Sequence, residues 1–442
     1  MRVEVQDLSD VEKILKIEVP SEKVKEVVDQ VTKELRKRAK IKGFREGKVP
    51  VYLVKKLFKE EIEERSVERL IDTTLSEAIK EKKLEPLLRP KIEELGEFKE
   101  GEPFSYSVLV EIRPEFELKK EDYVGIEVEK DEEEVSEEEV DRVLEEFRYS
   151  FAQLKKVEDE PIQERYIAVI KFTGYDGEEP IPGHQADALY IDVGTGEFNS
   201  EVEKALIGKK PGDKFTVEVE YPEEGLNPLL AGKKVKYDIE VREVYKRELK
   251  ELDDEFVKSL NMGFDSVEAL RESIKNRLAQ EKKIKNEDAF KERLLEKILE
   301  KVEIKVPKRY VELKLQQLVE KIGESLERDG FSFAALNISM EKLRERLYPV
   351  AERQAKEELL LEKIAELENI TFPEEEVQKL IENIEKGLKV KRQEAEAIVY
   401  YNILPKKLAQ RTLEFLVEHA KPVVKKVEEA KTEEKEEASK EE

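Results

Sequence analysis

PSEKVKEVVDQVTKELRKRAKIKGFREGKVP, residues 20–50, decides how the first domain folds and where the chain differs most from the rest of itself. Pro20 and Ser21 open a helix, and Val24, Val27, Val28, Val31 and Leu35 fall on one of its faces. As that face ends, a basic run begins: Arg36, Lys37, Arg38, Lys40, Lys42, Arg45 and Lys48, with Glu46 the single acid among them. The whole chain carries a formal charge of −24, so this short positive stretch is where a polyanion would be attracted and not repelled. Gly43 and Gly47 open backbone conformations closed to other residues, and Pro50 stiffens the exit. The spacing predicts a loop tip that presents Phe44 and Arg45 to a phosphate-rich partner. A plainer reading is a solvated helix end, because cations favour a helix C-terminus.

Working outward, residues 1–19 alternate apolar and polar and predict strands, and a second helix is expected from Val51 to about Lys82. Strand-like stretches near Leu84–Phe98 and Pro103–Ile112 complete a β-β-α-loop-α-β-β domain, residues 1–115. Residues 116–157 read as an acidic linker with a helix. Ser136 and Glu139 have capping-box spacing, and Val140, Val143, Leu144, Phe147, Phe151 and Leu154 form its stripe. Residues 158–247 change texture: IAVIKF, ALYIDV, KFTVEVEY and KVKYDIEVREV are strands separated by Gly/Pro turns. From 248 to 421 the pattern is helical, with breaks signalled at Pro307, Gly330, Pro349, Pro373 and Pro405, and residues 422–442 are expected to be a disordered acidic tail. The fold class is therefore α+β and multidomain.

Composition narrows the chemistry. There is no Cys, so thiolate metal sites, disulfides and cysteine nucleophiles are excluded. His184 and His419 are the two histidines, far apart in sequence, and predict no metal site. GKKPGDK, residues 208–214, lacks the spacing and terminal hydroxyl of a phosphate-binding loop, which points to ATP independence and no cofactor. No secretory leader pattern opens the chain, and no apolar run approaches the ~20 residues that span a bilayer, so a soluble cytoplasmic protein is expected. Abundant Lys and Glu with few Asn and Gln fit a hot-growing source.

Three stretches, in order, resemble the bacterial trigger factor family of ribosome-associated chaperones. GFREGKVP (43–50) is similar to its ribosome-docking signature. FTGYDG (172–177) and LIGKKPGDKFTVEVEYPEE (206–224) resemble its FKBP-type prolyl isomerase domain, and residues 347–377 its C-terminal helical arm. The resemblance covers nearly the whole chain. It implies an N-terminal domain that docks on the large ribosomal subunit beside the exit tunnel, against ribosomal protein and rRNA, and a C-terminal body that holds unfolded nascent chains. Dimerisation of free molecules stays open. By analogy Phe44 and Arg45 carry docking within Lys42, Gly43, Phe44, Arg45, Glu46, Gly47 and Lys48. Glu46 stands where the family often has Lys, an exchange worth roughly 1 kcal/mol for a solvated charge, so docking is expected to lean on Arg45, Lys42 and Lys48.

The isomerase resemblance is incomplete. Such enzymes need an apolar, aromatic-walled pocket that desolvates the X-Pro bond, and no nucleophile. Phe172, Leu189 and Tyr237 remain as pocket positions, whereas Pro180, Asn199, Val202 and Gly225 stand where the family carries apolar or aromatic residues. Weak or absent isomerase activity is expected, with an active prolyl isomerase as the alternative function and a helical scaffold without clients as a third. A chaperone must expose apolar surface, and the candidates are Phe331, Phe333, Leu336, Ile338 and Met340, then Tyr400, Tyr401, Ile403 and Leu404. Ordinary helix packing is the plainer reading of each.

Overall fold

The computed structural model describes residues 1–42, 44–45, 48–131 and 134–425. They form two compact units. One comprises Met1–Val124, Lys297–Leu318 and Tyr348–Glu418; the other comprises Gly125–Glu296, Val319–Leu347 and the stretch from His419.

In the first unit, β1 (Arg2–Asp7) and β2 (Glu12–Val19) precede helices α1 (Ser21–Arg38), α2 (Val51–Leu57) and α3 (Lys59–Glu81). Strands β3 (Lys91–Leu95) and β4 (Phe104–Glu111) close an antiparallel sheet of order β1-β2-β4-β3. Period-two alternation turns Leu15, Ile17 and Val19 of β2 and Phe104, Tyr106, Val108 and Val110 of β4 onto the apolar stripe of α1. The helix expected over Val51–Lys82 is broken at Phe58 (φ −115°, ψ 31°), which packs against this core. Inside it, Tyr106 Oη and Thr74 Oγ1 lie 2.6 Å apart, and burial pushes the phenol up to about 12.

The short helix α4 (Lys120–Tyr123) follows, and then the second unit begins with β5 (Glu127–Asp131) and α5 (Glu137–Ser150). The Ser136–Glu139 capping box is formed: Ser136 Oγ accepts from Glu139 N–H at 3.2 Å and Glu139 Oε2 from Ser136 N–H at 2.9 Å. The stripe is shorter than expected. Val140 and Leu144 are buried, but the helix ends at Ser150 and leaves Phe151 and Leu154 exposed, because Leu154 joins strand β6 (Gln153–Val157).

Four further strands, β7 (Ile167–Asp176), β8 (Glu179–Asp192), β9 (Lys214–Glu220) and β10 (Lys234–Glu248), surround helix α6 (Ser200–Leu206) in sequence. β10 is the spine of the sheet: β7 runs antiparallel along one side, and β9 and β6 share the other. α7 (Asp254–Ser259) and α8 (Val267–Leu299) then cover α5 through Phe256, Val257, Leu270 and Ile274.

The helical half continues as α9 (Lys308–Arg328), α10 (Met340–Leu367), α11 (Glu374–Leu388), α12 (Arg392–Ile398), a π turn at Val399–Ile403 and α13 (Leu404–His419). α8, α9 and α10 each contribute residues to both units, so the units interleave in sequence where a reading by composition expects contiguous blocks. In the first unit α9 starts on a buried acid. Glu111 accepts from Arg309 Nη1 at 2.9 Å and from its backbone N–H at 3.3 Å, and desolvation raises the carboxyl's pKa against that pull.

Three of the expected breaks behave as the residue chemistry dictates. Pro307 precedes α9, Pro373 caps α11, and Gly330 (φ 82°) ends α9 in a left-handed turn closed by Phe331 N–H to Leu326 C=O at 2.8 Å. Pro349 does not break the chain and lies inside α10, where burial of Ala351, Ala355 and Leu360 outweighs a local cost of about 3 kcal/mol. Pro405 is the second residue of α13. Its ring and missing N–H conflict with the carbonyl of Tyr401 in a regular helix, and the wider π turn carries the chain past it. Residues 421–425 form β11, parallel to β5, although composition assigns all but the first of these to the tail; the expected disorder beyond 425 concerns residues outside the described ones.

Candidate functional site

The loop between α1 and α2 has buried feet and an exposed crown. Ala39 and Val49 are almost fully buried, while Lys42, Phe44, Arg45 and Lys48 between them are exposed. Two local hydrogen bonds shape it, Phe44 N–H to Ile41 C=O at 3.1 Å and Lys48 N–H to Arg45 C=O at 3.0 Å. Phe44 is 44% exposed, a costly placement for a phenyl ring that nothing in the domain core requires. Among the described residues no acid pairs with Lys42, Arg45 or Lys48. Gly43, Glu46 and Gly47 lie outside the described residues.

The apolar candidates divide between the units. In the second, Phe331, Leu336 and Met340 are exposed and Phe333 and Ile338 partly buried, Met340 as the first residue of α10 and the others in the connection that leads to it from α9. Phe333 leans on the helix at Gly323, where an added Cβ would come within 3.1 Å of its ring. This connection is tied to the β9–β10 loop by Ser339 N–H to Leu226 C=O at 2.8 Å and Lys342 Nζ to Glu223 C=O at 2.7 Å. In the first unit, the π turn holds Tyr400 and Tyr401 outward, the latter 81% exposed, while Val399 is buried. Ile403 and Leu404 are partly buried against α11 and are packing residues.

Around Phe172, Leu189 and Tyr237 the structure brings together more aromatic surface than the sequence alone suggests. Phe172 and Tyr237 are buried with ring centroids 6.0 Å apart, and Leu189 packs on the same core. Phe198, not singled out in the sequence, completes a three-ring cluster at 5.5 Å from Phe172 and 6.2 Å from Tyr237. Tyr221 Oη lies 2.7 Å from Tyr237 Oη, and burial together with this contact drives the Tyr237 phenol far above its ordinary value. Glu203 is also missed. It is buried, and its carboxylate accepts from the backbone N–H groups of Gly194 (2.9 Å), Gly196 (3.0 Å) and Phe198 (2.9 Å). Asn199, which stands where an apolar residue is expected, caps α6 by accepting from Glu201 N–H at 2.9 Å and Val202 N–H at 3.3 Å. The sequence signal for Glu203 is slight: an acid that follows the closely spaced glycines Gly194 and Gly196 and stands between the apolar Val202 and the Ala205–Leu206 pair.

Residues 1–147 match the family described as bacterial trigger factor protein, and residues 266–417 match its C-terminus. The trigger factor of Geobacter sulfurreducens is 33% identical over 87% of this chain and 88% of its own length; that of Moorella thermoacetica is 31% identical over 96% of both. A solved structure reported under "Promiscuous Substrate Recognition in Folding and Assembly Activities of the Trigger Factor Chaperone" is 28% identical, covers 95% of this chain and 99% of that one, and has a TM-score of 0.44. The protein is a ribosome-associated chaperone. The chain belongs to the bacterial trigger factor family. Among the described residues no helix is long and apolar enough to cross a membrane.

Proposed function

We propose that this protein is a cytoplasmic, ATP-independent holdase whose α1–α2 tip docks on the large ribosomal subunit beside the exit tunnel, and whose helical half captures unfolded nascent chains there. The observation that carries the reading is the exposed Phe44–Arg45 pair between buried feet. An apolar ring in water beside a guanidinium that pairs with no acid among the described residues is stabilised by a partner that offers both a greasy surface and phosphates. Docking rests on Phe44 and Arg45, with Lys42 and Lys48 adding long-range attraction. Phe331, Met340, Tyr400 and Tyr401, which are exposed, and Phe333 and Ile338, which are partly buried, supply client-binding surface, because apolar groups open to water in a strongly anionic frame bind unfolded chains without self-association.

Co-sedimentation with ribosomes tests the docking half. Replacement of Phe44, Arg45 and Glu46 by alanine is expected to abolish it, and undiminished co-sedimentation removes the assignment. X-Pro isomerisation has less support, since Pro180, Asn199, Val202 and Gly225 stand where the family resemblance calls for apolar or aromatic pocket residues. A protease-coupled proline peptide assay is expected to run near the uncatalysed rate, and suppression of aggregation is expected to extend to clients without proline.

A further inference from the structure

The tip does not exhaust the exposed apolar surface on this side of the domain. Phe44, Val51, Tyr52 and Leu57 are all exposed within a stretch of 14 residues, and Tyr52 is 72% exposed. On α2 the opposite side is fixed, since Val54 is completely buried in the core. At about 100° per residue, Tyr52 lies roughly 160° from Val54 around the helix, and Lys56, four residues on, returns to within about 40° of Tyr52. Tyr52 and Lys56 therefore share the outward face. Both are exposed, and among the described residues Lys56 has no ion pair. Lys55, on the flank, is held instead by Glu100 and by Asp29 at 3.5 Å, so the cation left available is the one beside the ring.

We propose that Tyr52 and Lys56 form a second contact of the docking surface, with a nucleotide of ribosomal RNA as occupant: an unpaired base stacked on Tyr52 and its phosphate on Lys56. The choice of RNA rests on charge. The protein is −24 overall, yet this face continues the run of exposed cations Lys42, Arg45 and Lys48 and presents a phenol ring with one side free. A flat ring with a cation on its own face, and further cations along the same stretch of chain, is the combination that stacks bases and tracks a backbone. The contact rests on the docking reading above and extends it from one tip to a two-point surface.

The test compares full-length Tyr52→Ser, Tyr52→Phe, Lys56→Ala and Phe44→Ala in ribosome co-sedimentation across a salt series, with a photoreactive phenylalanine at position 52 as second readout. Tyr52→Ser is expected to weaken binding about tenfold and Tyr52→Phe to retain it, because stacking needs the ring and not the hydroxyl. Lys56→Ala is expected to lower the salt slope by about one. The photoprobe is expected to crosslink to rRNA. Crosslinks confined to ribosomal protein overturn the assignment of RNA. Wild-type affinity in Tyr52→Ser with loss in Phe44→Ala overturns the second contact and leaves tip docking intact; no loss in either overturns docking itself. Position 52 is exposed, so an unchanged melting midpoint is expected in every Tyr52 variant.

Discussion

Replacing Glu203 by alanine isolates what holds the loop from Gly194 to Phe198 in its present form. The carboxylate is buried and accepts three backbone N–H bonds, two on Oε2 from Gly194 and Gly196 and one on Oε1 from Phe198. Gly194 and Gly196 have φ of 94° and 78°, so the loop occupies a left-handed conformation that the carboxylate stabilises from within. Without it three amides lose their acceptor. A buried unmet donor costs about 1–3 kcal/mol, and water entering the vacated space recovers part of that, which leaves a net loss of about 3–5 kcal/mol. In a domain of about 90 residues 1 kcal/mol corresponds to roughly 4–8 °C, so the unfolding of the β-rich domain is expected to move down by about 12 °C or more. Glu203→Gln is expected to cost less. Its carbonyl oxygen can serve Gly194 and Gly196, but its amide then points donor against donor at Phe198 N–H. Hydrogen exchange reads the site directly: amides 194, 196 and 198 are expected to lose protection in Glu203→Ala, with calorimetry reporting the shift. Unaltered protection at those three amides, with a transition within about 2 °C of wild type, would refute the reasoning, because the bonds would then carry no net stability.

Two other expectations follow from surface and burial. Phe331→Ser combined with Tyr401→Ser is expected to raise severalfold the chaperone concentration needed to suppress aggregation of an unfolded client, read by light scattering, with ribosome co-sedimentation unchanged. Burial pushes Tyr106 and Tyr123 up to about 12, the latter also through its bond to Glu368, and Tyr237 and Tyr310 higher still. The unfolded phenols ionise first, near 10, so the unfolded state is favoured as pH rises from there, and stability is expected to fall between pH 10 and about 12. An ultraviolet titration of native against denatured protein, with melting midpoints over the same range, measures this; coincident titration curves would rule it out.

Periodicity and turn chemistry, which are local, settle much of this protein without coordinates. The stripe of α1, the alternation of β2 and β4, the Ser136–Glu139 capping box and the left-handed turn at Gly330 are each fixed by residues within a few positions of one another. The basic run and the Phe44–Arg45 pair are legible for the same reason, since charge and aromatic content need no partner to be read. Features that depend on distant residues were not legible. Whether Pro349 breaks a helix depends on burial of Ala351, Ala355 and Leu360, and whether Pro405 does depends on a π turn that no short window of sequence specifies. Phe198 and Glu203 acquire their roles from β7, β10 and a loop folded around them.

By itself the sequence determined the α+β class, the strands and striped first helix of the N-terminal domain, and the place where an anionic chain turns basic around an aromatic residue. Tertiary structure alone decided which apolar side chains remain in water, that α8 to α10 serve two units, and that Phe198 joins Phe172 and Tyr237 in one aromatic cluster. The division has one physical cause. Propensity, charge and turn geometry are properties of neighbours along the chain, whereas burial is a property of neighbours in space, and a side chain's exposure is set only when the elements that might cover it have been packed.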